Sequence, residues 1–258
     1  MDGIALQRAL KDRLQDVVRT CLRLDLEPGA AVSGEPESGF GGQPWWPVGE
    51  PWPVCESCGA ALTFVCQLRL DGGGHWRPGT YDLLSVFFCR ACGQPDDAPF
   101  VEHPGGDRCR LQLLRLQAQP LAPLAPAPGL SVQDPLAPYR VRGVPVLDAP
   151  AWQDVLDEFT AIAPQALKDL HIAYELAVLE VLRHAEDTPQ HQLGGYPHWA
   201  GTQSYWPECR WCGGQMYLLA QFVPSPVLDV PWGQERWAYL FCCMEPCDPE
   251  ALTLVLQG

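Results

Sequence analysis

Residues 41–68 read GGQPWWPVGEPWPVCESCGAALTFVCQL, and residues 194–222 read GGYPHWAGTQSYWPECRWCGGQMYLLAQF. The second stretch repeats the first. Cys55, Cys58 and Cys89 have counterparts in Cys209, Cys212 and Cys243, each 154 residues later. Trp52-Pro53 recurs as Trp206-Pro207, Gly59 as Gly213, Gln67 as Gln221 and Phe87 as Phe241, at the same offset. A Gly-Gly-x-Pro element precedes each copy (Gly41, Gly42, Pro44, then Gly194, Gly195, Pro197) at an offset of 153, so one residue is inserted between element and knuckle. Chance can match one cysteine pair, but not a whole series in register. The chain is an internal duplication, and its fold has to be read as two copies of one unit.

Each copy reads as knuckle, strand, loop, strand, knuckle. ALTFVCQLRL alternates apolar and polar residues, and MYLLAQFV does so more weakly. DLLSVFFC and RWAYLFCC are short apolar runs leading into the second cysteine pair. DGGGH at 71–75 lacks the lysine and following helix of a phosphate loop and reads as a hairpin turn.

The cysteines carry the chemistry. Two thiolates two residues apart on a tight turn reach one ion, and a second pair on the returning strand completes a tetrahedron. Zn²⁺ favours such a site. Cys55, Cys58, Cys89 and Cys92 form the first set, with 30 residues between its pairs. Cys209, Cys212, Cys243 and Cys247 form the second, with a CxxxC last pair. There Cys242 competes with Cys243, and the shared Phe-x-Cys pattern favours Cys243. Two structural zinc ions are expected. The alternatives are disulfides or empty reduced clusters. Four thiolates leave no open coordination position, so such ions hold strands together and perform no catalysis. Cys21, Cys66, Cys109 and Cys242 read as inert buried thiols. The six histidines show no pairing on one helix face, and no catalytic residue stands out.

The 258 residues include 31 acids against 17 bases, a formal net charge of −14. That weighs against nucleic acid or an anionic membrane as main partner and suits a basic protein or peptide. Residues 4–24 read as an amphipathic helix ended by Pro28-Gly29, residues 113–149 as a Pro/Leu-rich connector, and residues 150–187 as an acidic helical connector broken at Pro164. With repeat 1 at 38–112 and repeat 2 at 188–258, the expected fold class is α+β, mostly β: internally duplicated zinc-knuckle/β-sheet repeats with peripheral helices, forming one composite domain. No apolar run is long enough to span a bilayer, the N-terminus lacks a secretory h-region, and a cytoplasmic, bacterial protein with reduced thiols is expected. Gln67 and Gln221 are expected to pin their Gly-Gly-x-Pro loops. The tryptophans near the knuckles read as packing, or as a groove receiving a peptide, floored by Trp45, Trp46 and Trp199. In that reading Asp154, Asp157 and Glu158 add electrostatic steering.

These paired stretches resemble the bacterial YwqG-like family of unknown function. The CRWCGGQMYLLAQFVPSP…YLFCCMEPC stretch is also similar to the programmed-cell-death-protein-2 family of the same superfamily. The resemblance implies a mostly β fold with duplicated sheets, zinc, and a protein-binding role: chaperoning a basic client, or neutralising a toxin as an immunity protein. It carries no catalytic residues. The expectation is a non-catalytic, zinc-stabilised protein-binding module. An enzyme with an unrecognised site, marked by a pocket holding a spare thiol and a histidine, is one alternative. A zinc-containing nucleic-acid binder using Arg77, Arg90, Arg210 and Arg236 is the other.

Overall fold

β-strand is the main regular structure of the chain. The computed structural model describes residues 3–29, 34–70, 81–92, 100–103, 108–155, 164–182, 190–243, 247–248 and 251–258. In chain order the elements are α1 (Gly3–Val17), β1 (Arg19–Pro28), β2 (Gly39–Phe40), β3 (Trp45–Pro47), β4 (Thr63–Arg69), β5 (Leu83–Phe88), β6 (Phe100–His103), β7 (Cys109–Leu114), β8 (Leu121–Pro123), β9 (Tyr139–Asp148), α2 (Trp152–Val155), α3 (Pro164–Leu182), β10 (Gln192–Leu193), β11 (Tyr217–Phe222), β12 (Trp237–Cys242) and β13 (Leu252–Gln257). Eleven strands form one antiparallel sheet in the order β6-β13-β12-β11-β10-β1-β9-β2-β4-β5-β7, and β3 pairs with β8 separately. The protein is mostly β with peripheral helices, as its sequence leads one to expect.

The duplication holds residue by residue. Gly39 pairs with Gln67, and Gln192 pairs with Gln221. A β-bulge between Phe64 and Cys66 recurs between Leu218 and Ala220. The bulged Val65 carbonyl accepts the Gly41 N–H at 2.9 Å, and the Leu219 carbonyl accepts the Gly194 N–H at 2.8 Å. An extra residue in each strand thus turns a carbonyl out to hold the Gly-Gly loop.

β4, β5, β11, β12 and β13 are buried on both faces, which explains their apolar runs. In β5, Leu84, Val86 and Phe88 enter one large core, while Leu83 and Phe87 enter a second. In β12, Ala238, Leu240 and Cys242 enter the same large core, while Tyr239 and Phe241 enter a third. The shared core draws on both halves: Phe40 meets Phe222 edge-on at 5.5 Å, and Phe88 meets Trp232 at 5.8 Å. The sheet is therefore curled around it. Its edge strands β6 and β7 are consecutive in the chain, and the Cys109 thiol reaches the His103 carbonyl. The two outer cores each carry one cysteine set.

Two segments differ from the sequence reading. The helix expected over 4–24 stops at Val17, and RTCLRLDLEP continues as β1. Leu22, Leu24 and Leu26 face the core and alternate with Arg23, Asp25 and Glu27. That two-residue period wins over the three- and four-residue spacing that Val17, Val18 and Cys21 also satisfy. The connector expected over 113–149 contains β8 and β9, and β9 is central to the sheet, paired with β1 over ten residues. Pro145 is tolerated because β2 covers only Arg140 and Tyr139 on the other side of β9.

β1 and β9 are exchanged. β1 precedes the first copy but pairs with β10 of the second; β9 precedes the second copy but pairs with β2 of the first. Arg23 faces Gln192 as Arg140 faces Gly39, so β1 maps onto β9 with an offset of 117. Asp25 therefore maps onto Arg142, the residue it faces across the ladder. An approximate two-fold axis passes between them, and Arg142 Nη2 donates to Asp25 Oδ2 at 2.9 Å.

The helices belong to one side of this pseudosymmetry. α2 and α3 are inserted between β9 and β10, and α3 packs on α1 through Leu10, Leu14, Leu170, Tyr174 and Ala177. Pro164 starts α3, a position that costs no hydrogen bond. Among the described residues, no helix is long and apolar enough to cross a membrane.

Candidate metal centres

Each knuckle is a tight turn closed by backbone hydrogen bonds. Cys55 N–H donates to the Ala60 carbonyl and Gly59 N–H to the Cys55 carbonyl, both at 2.8 Å. In the second copy Cys209 N–H donates to Gly214 at 2.8 Å and Gly213 N–H to Cys209 at 2.7 Å. Single bridges, Val54 to Ala61 and Glu208 to Gln215, clamp the bases of the two turns. Gly59 and Gly213 have φ of 72° and 69°, the left-handed region that L side chains disfavour. Cys89 and Cys243 leave the ends of β5 and β12 and are held by N–H bonds to Arg108 and Ala251.

The sulfurs converge. Cys55 lies 3.6 Å from Cys92 and Cys58 lies 3.6 Å from Cys89. Cys209 to Cys247 is 3.5 Å, Cys212 to Cys243 is 3.7 Å, and Cys243 to Cys247 is 3.8 Å. Within each set all four sulfurs lie within 4.8 Å of one another. A tetrahedron with metal–sulfur bonds of about 2.3 Å has sulfur–sulfur edges of about 3.8 Å, whereas a disulfide is about 2.05 Å long. The spacing fits a tetrathiolate metal site, and all twelve cysteines are free. Two groups of four cysteines can each hold a metal ion. Cys243, not Cys242, is in the second group; Cys242 is buried in the shared core.

Thiol electrostatics follow the same geometry. The Ala60 N–H, then the Cys92 and Cys89 sulfurs, pull Cys58 down to about 7. At Cys209 burial acts upward, but the Cys212 and Trp211 N–H groups and the neighbouring sulfurs outweigh it and bring the thiol to about 7. Burial raises Cys92, and burial with the neighbouring sulfurs pushes Cys247 up to about 12. Protons shared among four close sulfurs are what a dication would displace. Cys21, Cys66, Cys109 and Cys242 are buried apart from both sets.

Aromatic packing supports each knuckle. Phe87 is met edge-on by Trp46 at 5.1 Å and Trp52 at 5.6 Å, and tilted by Phe64 at 5.2 Å. In the second copy Phe241 is covered by Trp199 and Trp206. Gln67 pins its loop as expected, accepting from Trp45 N–H at 3.0 Å and donating to the Trp45 carbonyl at 2.7 Å. Gln221 holds the counterpart loop by accepting from His198 N–H at 2.7 Å, while its amide donates to the Gln190 carbonyl at 3.2 Å.

The three tryptophans expected to floor one groove are not brought together. Trp46 is buried in the first outer core and Trp199 in the second. Trp45 is half-buried beside Phe64 and Pro138. The outer face of the seam between the copies carries a charge ladder instead, with Arg142 on Asp25 and Arg140 on Glu27. Asp154 is no solvated steering charge: its Oδ1 accepts from Trp199 Nε1 at 3.0 Å and Trp206 Nε1 at 2.7 Å. Asp157, Glu158, Arg77 and the 71–75 turn lie outside the described residues. Of the arginines considered for base stacking, Arg90 is tied to Asp229 and Arg210 lies over Trp211.

Sequence reasoning missed Asp148. This 3% exposed carboxylate accepts from Ala149 N–H, Gln192 Nε2, Tyr196 N–H and His198 Nε2. A Cβ on Gly195 would sit 2.2 Å from its Oδ2, so only glycine fits there. His198 is drawn down by burial, but the Asp148 hydrogen bond and charge outweigh this and raise it. The available signal was the repeat itself, which puts His198 where the first copy has Trp45. No protein-family model matches the chain, and none of the curated proteins matches it either.

Proposed function

We propose that the chain is a non-catalytic, zinc-stabilised protein-binding module for a basic protein or peptide. The observation that carries this reading is the pair of closed four-sulfur sites, one in each half of a single curled sheet. A metal with all four positions filled by protein sulfur ties strands together and has no place for substrate. Zinc is the ion favoured by four thiolates at these spacings. The net charge of −14 supports a basic partner, and the YwqG-like motif set supports membership of a family with protein-binding themes. Neutralising a toxin and chaperoning a client are the two forms this role takes. Native mass spectrometry of protein purified without added zinc should give two zinc ions per chain. Titration with a lysine-rich peptide should show binding that weakens steeply with salt. One ion or none, or no peptide binding at low salt, would overturn the corresponding half of the reading.

A second reading, an enzyme, is favoured by one observation. A cleft of about 370 Å³ is lined by Cys21, Asp148 and His198, with Trp152, Val178 and Leu179 among its apolar walls. Against it, burial and then the Asp148 charge push the Cys21 thiol far up, away from a nucleophilic thiolate. Rapid, selective alkylation of Cys21 at neutral pH would favour the enzyme.

A further inference from the structure

The third strands of the two copies, β7 and β13, differ in what lies beyond them. Phe87 faces Arg110 on β7, and its counterpart Phe241 faces Thr253 on β13. β7 therefore maps onto β13 with an offset of 143, which sets Leu111 on Leu254 and Leu113 on Leu256. All four leucines enter the shared core. In an antiparallel ladder, successive residues bond alternately to one neighbour and to the other. Cys89 N–H donates to the Arg108 carbonyl, and Cys243 N–H to the Ala251 carbonyl. Counted on from those bonds, Arg110 and Gln112 bond back to β5, while the main-chain groups of Leu111 and Leu113 point away from it. On β13 the matching groups of Leu254 and Leu256 point to β6, where they face His103 and Val101. On β7, among the described residues, no strand lies on that side. Exposure agrees: Leu254 and Leu256 are 0% exposed, Leu111 4% and Leu113 5%.

The difference comes from one connection. β6 belongs to the 16 residues between Cys92 and Cys109. The second copy has four residues between Cys247 and Leu252, and Ala251 N–H donating to the Asp248 carbonyl turns them back on themselves. No length is left there to lay a strand along β7.

We propose that the outer edge of β7 takes up an extended segment of a partner protein as a twelfth, antiparallel strand, in the place that β6 holds on β13. The inference rests on the protein-binding reading above and names its surface. A sheet edge is a template for main-chain hydrogen bonds, and alternate side chains of the added strand give specificity. β6 shows the pattern: Val101 packs against the shared core, whereas Glu102 is exposed. A guest residue facing Leu113 is therefore apolar. The next one, facing Gln112, lies diagonal to Arg110 and favours a carboxylate.

The test uses the full-length, metal-loaded protein and a capped peptide of residues 98–105, which carries the β6 sequence. Hydrogen exchange of individual amides, read by NMR, reports where it binds. In the free protein Leu111 and Leu113 should exchange faster than Leu254 and Leu256. Saturating peptide should slow them at least tenfold. Peptide N-methylated at the Val101 and His103 positions loses the two donors aimed at the edge and should bind at least tenfold more weakly. N-methylation at the Glu102 position should change little. If Leu111 and Leu113 are already as protected as Leu254 and Leu256, the edge is closed within the chain and the proposal falls. It falls equally if peptide leaves their exchange unchanged, or if both methylated peptides bind alike. The lysine-rich peptide separates this from the broader reading. If that peptide binds and the strand peptide does not, basic-partner binding stands and β7 is not its site. If the strand peptide protects Leu111 and Leu113 and the lysine-rich one fails, the edge stands and the choice of a basic partner falls.

Discussion

Two histidines set opposite pH dependences. Burial lowers His191 to about 4 from 6.5, and its Nδ1 accepts the Val223 N–H. Between those values the unfolded chain binds a proton that the folded chain refuses, so stability falls as pH drops, by up to roughly 3 kcal/mol. His191→Gln keeps an acceptor and should flatten the melting-temperature loss between pH 7 and pH 5. His198 is raised, so its contribution is full below 6.5 and disappears as pH rises through its folded value. His198→Gln should therefore remove stability at pH 6 more than at pH 9, measured by urea unfolding. Asp148→Asn turns an amide donor toward the Gln192 and Tyr196 N–H groups and should cost roughly 2–4 kcal/mol. An unchanged urea midpoint would show that the network relaxes around it.

The two knuckles share a design but differ in exposure. Cys58 is the one exposed ligand residue of the first set, whereas Cys212 and Cys247 are both exposed in the second. A chelator should therefore strip the second site first, which native mass spectrometry would register as a one-metal intermediate. Cys247→Ser should leave one ion per chain, and loss of both would mean the sites are coupled. The knuckles and their strands were legible in the sequence because ligand spacing and two-residue alternation are local signals. β1 was obscured because Val17, Val18 and Cys21 satisfy a helical period while the following leucines satisfy a strand period. β9 was obscured because its outward face carries Arg140 and Arg142 and its middle carries Gly143 and Pro145, which read as a connector. Asp148 left little local trace: apart from the Ala149 N–H, its donors come from residues 44 to 50 positions further along.

At the scale of the molecule, strand exchange makes each half incomplete alone. Residues 38–112 lack β9, and residues 188–258 lack β1 and its cover. Neither fragment should show a cooperative melt by itself, whereas mixing residues 1–133 with 134–258 should restore one; independent folding of either repeat would contradict the shared core. The axis between the copies has a consequence of its own. In two identical chains related by a two-fold, a residue on the axis meets itself, so a charge there faces its own sign. Here the axial position is Asp25 in one half and Arg142 in the other. A fused chain, free to let its two copies diverge, can place an attraction where a homodimer would bring a charge onto itself.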